Sequence, residues 1–111
     1  MKGHLTIAGE LVQALHTGNS AAAADAQRRW YANADDIAIF LGRINPYWSQ
    51  EEWRQMMYQH LRLLTAEVAT RIAGNYEENV STNDLVEPQA LEMADVMTSG
   101  IIQQFPNQFI R

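Results

Sequence analysis

The chain has 111 residues, 47% of them hydrophobic, no cysteine and a net charge of −5. That length and apolar content give one domain with a core, and the absence of cysteine excludes disulfides, thiolate metal sites and a thiol nucleophile. Eight Lys and Arg scattered along an acidic chain argue against a nucleic-acid partner, and no apolar run nears the roughly 18 residues that span a bilayer, so the expectation is a cytoplasmic protein with no leader and no membrane partner.

Four helices are predicted from the apolar period. The first spans about 3–17, with Leu5, Ala8, Leu11, Val12 and Leu15 on one face. Gly18-Asn19-Ser20 ends it and starts the next, because glycine supplies a left-handed C-cap and Asn or Ser an N-cap. Helix two runs from Ser20 to about Ile44. Its opening alanines are strong helix formers with little bulk, and Trp30, Ile37, Phe40, Leu41 and Ile44 form the core stripe behind them until Pro46 stops the helix.

Ser49-Gln50-Glu51-Glu52 has the spacing of a capping box and opens helix three. Trp53, Met56, Met57, Leu61, Leu64, Val68 and Ile72 are its apolar face, and Gly74 ends it. Helix four starts either at Asn75-Tyr76-Glu77-Glu78 or, after a break, at Ser81-Thr82-Asn83-Asp84. Pro88 would then kink an inner turn or occupy a first turn. From Ala90 onward Leu91, Ala94, Met97, Ile101 and Phe105 are periodic, and Met56, Met57, Met93 and Met97 read as adaptable core filler. No segment alternates like a strand. The predicted fold is all-α, an antiparallel four-helix bundle made of two related helical hairpins, about 1–48 and about 49–111, in one domain.

The relation between the hairpins lies in their order of parts. His4-Leu5 precedes Gly18-Asn19 by fourteen residues, and His60-Leu61 precedes Gly74-Asn75 by fourteen. Ala34-Asp35-Asp36-Ile37 then matches Ala94-Asp95-Val96, and Asn45-Pro46-Tyr47-Trp48 matches Phe105-Pro106-Asn107-Gln108-Phe109. On this matching His4 to Asp36 is 32 residues and His60 to Asp95 is 35, with three extra residues near Pro88. Helix one lacks the dozen residues that precede His60 in helix three.

Polar residues on apolar faces are the candidate chemistry. His60 and Glu67 share a face of helix three, His4 shares one with Ala8 and Leu11, and Asn33 and Asp95 fall on the stripes of helices two and four. His4, His60, Glu67 and Asp95 form a set chemically sufficient for a divalent metal such as zinc, iron or manganese. The alternative is a buried hydrogen-bonded network that includes Asn33, needs no cofactor and fixes helix pairing. There is no Glu-x-x-His pair, no His-Glu-x-x-His and no glycine-rich phosphate loop. Arg28-Arg29 are expected in solvent with Trp30 in the core. A third reading is an apolar ligand site lined by Trp30, Phe40 and Met97.

Several segments resemble a group of small bacterial all-helical proteins. They are His60 to Val68 (a His-Leu-x-Leu-Thr-x-x-Glu-Val signature, with Leu64 displacing Thr65 by one place), Trp30 to Ala38, Asn45-Pro46-Tyr47-Trp48, and Ala90 to Asp95 followed by Gly100-Ile101 and Gln104-Phe105-Pro106. Some members of that group carry glycosyltransferase or acetylglutamate kinase labels, which nothing in this short helical chain supports. The resemblance implies relatives that are longer at the N-terminus.

The functional expectation is therefore a structural or protein-interaction module, more a binding protein than an enzyme, with a metal-binding bundle as the alternative. A helix three of about 26 residues, about 39 Å, against a helix one of about 15, about 22 Å, would leave Trp53, Met56 and Met57 uncovered. An exposed apolar end of that kind predicts a homodimer through those residues.

Overall fold

The computed structural model describes residues 2–108; Met1 and the Phe109 of the closing motif lie outside the described residues. The fold is all-α. Four helices, α1 (Lys2–Thr17), α2 (Ser20–Ile44), α3 (Gln50–Ile72) and α4 (Tyr76–Gln104), are followed by one 3-10 turn, Pro106–Gln108. There is no strand among the described residues, and no helix is long and apolar enough to cross a membrane.

The boundaries follow from local chemistry. Gly18 and Gly74 hold φ of +75° and +76°, the left-handed region that favours glycine. At each, the glycine N–H donates three residues back and the following Asn N–H five residues back, so both helices end in the same glycine-centred cap. The side chains of Asn19 and Asn75 then accept from Ala22 N and Glu78 N, at 3.1 and 3.3 Å, and start the next helix. Ser49 does the same for Glu52 N at 3.2 Å. Helix α4 begins at the first of its two candidate starts and runs unbroken through Pro88. Pro88 is exposed, so the Asp84 carbonyl that loses its helical donor faces water.

The helices form two antiparallel hairpins, α1 with α2 and α3 with α4, joined by packing of α2 on α3. Helix α1 touches α3 only lightly, and α4 packs along no helix but α3. The bundle is thus open between its first and last helices. Its radius of gyration is 16.3 Å and its extents are 51 × 28 × 20 Å, against about 13 Å for a compact chain of this length.

The core is narrow. It takes Trp30, Ala34 and Ala38 from α2, Trp53, Met56, Met57 and Leu61 from α3, and Leu11 and Ala14 from α1. The Trp53 end is therefore closed within the chain, contrary to the sequence expectation: Trp53, Met56 and Met57 are 2%, 5% and 7% exposed. The cover is the aromatic turn after α2. Asn45, fully buried, accepts from Tyr47 N and donates to Gly100 O, both at 2.9 Å, and Trp48 Nε1 donates to Val96 O at 3.1 Å. Trp48 meets Trp53 edge to face with ring centres 5.9 Å apart. Gly100 makes room for this, since a Cβ there would sit 1.9 Å from Trp48 Nε1.

Several residues read as core lie outside it. Leu5, Phe40, Ile44, Leu91 and Met97 are exposed. Helix α4 instead turns Thr82, Gln89, Met93, Val96 and Gly100 inward, so its bulkier apolar stripe faces solvent.

Candidate functional site

Two histidine–amide pairs occupy matching places in the two hairpins. His4 Nδ1 lies 2.7 Å from Asn33 Oδ1, and His60 Nδ1 lies 3.0 Å from Gln89 Oε1; both pairs are 29 residues apart in sequence. Adding 56 to each number carries His4 to His60, Gly18 to Gly74, Asn19 to Asn75 and Asn33 to Gln89. This constant step replaces the three-residue insertion near Pro88 expected from the sequence. It sets Ala34 against Ala90 and Ala38 against Ala94, and leaves Asp95 opposite Ile39 rather than Asp36.

Gln89 is the fixed point of the second pair. It is buried, and its Nε2 donates to Met56 O at 2.9 Å. That bond turns Oε1 toward His60, so His60 Nδ1 carries the proton that Oε1 accepts. His4 lies against Trp30 with ring centres 5.4 Å apart. Burial holds the His4 imidazole below its ordinary value of 6.5; the Asn33 bond opposes this, and the charge of nearby His60 reinforces it.

The other members of the expected set lie elsewhere. Glu67 is seven residues beyond His60, about 10 Å along the axis, and lines a groove of about 480 Å³ with Val12, His16, Ile72 and Asn79. Asp95 is exposed and borders a separate surface hollow with Tyr47, Glu52 and Gln103. Among the described residues no three His, Asp or Glu side chains gather as a metal cluster. The polar network expected around Asn33 is two separate pairs, and sequence reasoning passes over Gln89 although its spacing from His60 repeats that of Asn33 from His4.

Phe40 and Met97 do not line a common cavity with Trp30. Trp30 borders a hollow of about 150 Å³ with Leu11, Leu15, Leu64 and Val68. Arg28 and Arg29 pair with Asp25, and Arg29 also with Glu10, on the exposed side of α2, which lowers the Asp25 carboxyl through its bonds to the two arginines. Between α2 and α3, Tyr58 donates to Asp35 at 2.7 Å and meets Tyr31 edge to face at 4.8 Å. The Asp35 bond is the main cause that raises the Tyr58 hydroxyl above its ordinary value of 10.0.

Comparison with protein families, with curated proteins and with solved structures finds no match for this chain. The resemblance to small bacterial helical proteins rests on its motifs alone.

The largest feature left is apolar surface. On α4, Tyr76, Val80 and Leu91 are each more than half exposed and fall within about 60° of one another at 100° per residue; half-exposed Phe105 caps the helix, and Met97 lies about 120° round from Leu91. Exposed apolar side chains of this size on one helix face commonly mark a contact surface.

Proposed function

We propose that this protein is a non-enzymatic structural or protein-interaction module, a bundle whose open side is completed by another polypeptide. The exposed apolar face of α4 carries this reading. The polar side chains support it too: His60, Gln89, Asn45 and Trp48 are engaged in joining helix to helix or turn to helix. The homodimer expected from the sequence remains one form of this function, moved from the buried Trp53 end to the open side. Sedimentation of wild type against a Leu91→Gln/Met97→Gln variant at tens of micromolar tests it. Association that the variant loses while its unfolding curve is unchanged supports the module. A wild type that stays monomeric and takes no helical partner contradicts it.

A divalent-metal bundle is the second reading, favoured only by the two neighbouring imidazoles with their Nδ1 atoms held by amides, as a metal ligand's outer nitrogen commonly is. Elemental analysis of untagged protein decides between them. Stoichiometric zinc, iron or manganese that is lost in a folded His60→Ala variant would favour the metal; none would favour the module.

A further inference from the structure

The outward face of α4 has a counterpart inside the molecule. Helix α2 seats α3 through Tyr31, which meets Tyr58; through Asp35, which accepts from Tyr58; and through Gly42, whose absent Cβ would stand 3.1 Å from Gln50 Cβ. The step of 56 carries these three positions to Glu87, Leu91 and Thr98, all exposed on α4. These positions on α4 have no helix packed on them among the described residues, and their side chains differ from those of α2. Ala34 and Ala38 are fully buried, while their counterparts Ala90 and Ala94 are exposed.

Charge decides which helix fits. Of the thirteen carboxylates in the chain, six lie in α4 (Glu77, Glu78, Asp84, Glu87, Glu92, Asp95), and the helix contains no Lys, Arg or His. At 100° per residue, Glu87 sits within the apolar stripe, and Glu77, Asp84 and Asp95 run along one edge of it. A second copy of α4 would bring the same carboxylates to face these. On the other helices Arg28, Arg29 and Arg54 are already in ion pairs with their own chain.

We propose that the outward face of α4 docks a cationic amphipathic helix of a partner protein, its apolar stripe on Leu91, with Met97 on the flank, and its Lys or Arg beside Glu87 and Asp95. This rests on the interaction-module reading and names its partner's chemistry. Mixed apolar and charged recognition of this kind is the helix-in-groove mode with electrostatic steering.

The test uses two synthetic three-heptad helices with the same leucine stripe, one flanked by lysines and one by glutamates, titrated into the full chain by fluorescence anisotropy. The lysine peptide is expected to bind at least tenfold more tightly than the glutamate peptide and to weaken as salt is raised. Leu91→Gln/Met97→Gln and, separately, Glu87→Lys/Asp95→Lys should each reduce binding at least tenfold with circular dichroism unchanged. Asp36→Lys, exposed on α2, should leave it unchanged. Equal binding of the two peptides, or equal loss in Asp36→Lys, would overturn the proposal. A dimer in sedimentation that Leu91→Gln/Met97→Gln dissociates would overturn it in favour of a second copy and leave the module reading standing. A monomer that binds neither peptide would remove both.

Discussion

The inner and outer helices of this bundle carry corresponding residues in opposite surroundings. Leu61 on α3 is 0% exposed and Leu5, its counterpart on α1, is 77% exposed. The caps, the histidine–amide pairs and the spacing match, so local sequence does not make the difference. Neighbours do. Helices α2 and α3 are flanked on both sides, whereas α1 and α4 have one principal helical neighbour each. An outer helix of a hairpin row keeps the second face that its inner relative buries, and here that face stays apolar. Stability thus rests on the inner helices, and the association proposed for this protein falls to an outer one.

The strongest way to break this comparison is to truncate the matched leucines. Leu61→Ala should cost about 2–5 kcal/mol in urea unfolding, and Leu5→Ala within about 0.5 kcal/mol. Similar losses would show that α1 is covered in solution. Next, Gly100→Ala forces a methyl into the Trp48 indole and should cost about 1–3 kcal/mol. The same experiment would show Trp48 mobile if the cost were negligible. Gln89→Ala leaves the His60 Nδ1–H without its partner and removes the second bond to the Met56 carbonyl, and should cost about 1–3 kcal/mol. Asn33→Ala, at the half-buried pair, should cost less.

The smallest effect expected is on pH. The His4 imidazole is held below its ordinary value of 6.5, chiefly by burial. Between that lowered value and 6.5 the unfolded chain binds more protons than the folded one, so stability should rise with pH through the window and be lower on its acid side. Replacing His4 by Gln should flatten that part of the profile. A profile that falls with rising pH there would reverse the sign of the burial effect.

Helix boundaries were legible in the sequence because their causes are local. Gly18, Gly74, Ser49 and Pro46 act within a few residues of themselves. The inward face of α4 was not legible. Periodicity finds an apolar stripe but not which of two faces meets a neighbour, and α4 turns polar or small Thr82, Gln89 and Gly100 inward while Tyr76, Val80 and Leu91 face out. The buried Trp53 end depended on Trp48 lying against Gly100, a contact between distant segments that no spacing rule reveals. Of the candidate site, His4 and Asn33 were legible as polar residues on apolar stripes, but not as partners of each other. Gln89 was lost because Asp95 was matched to Asp36, three residues out of register.

The separation of stability from association is tested most directly by urea unfolding and lysine-peptide titration of one variant, Leu91→Gln/Met97→Gln. The expected result is an unfolding free energy within about 0.5 kcal/mol of wild type and at least a tenfold loss of peptide affinity. A loss of several kcal/mol in stability with peptide affinity retained would contradict it, because the outward face of α4 would then belong to the core.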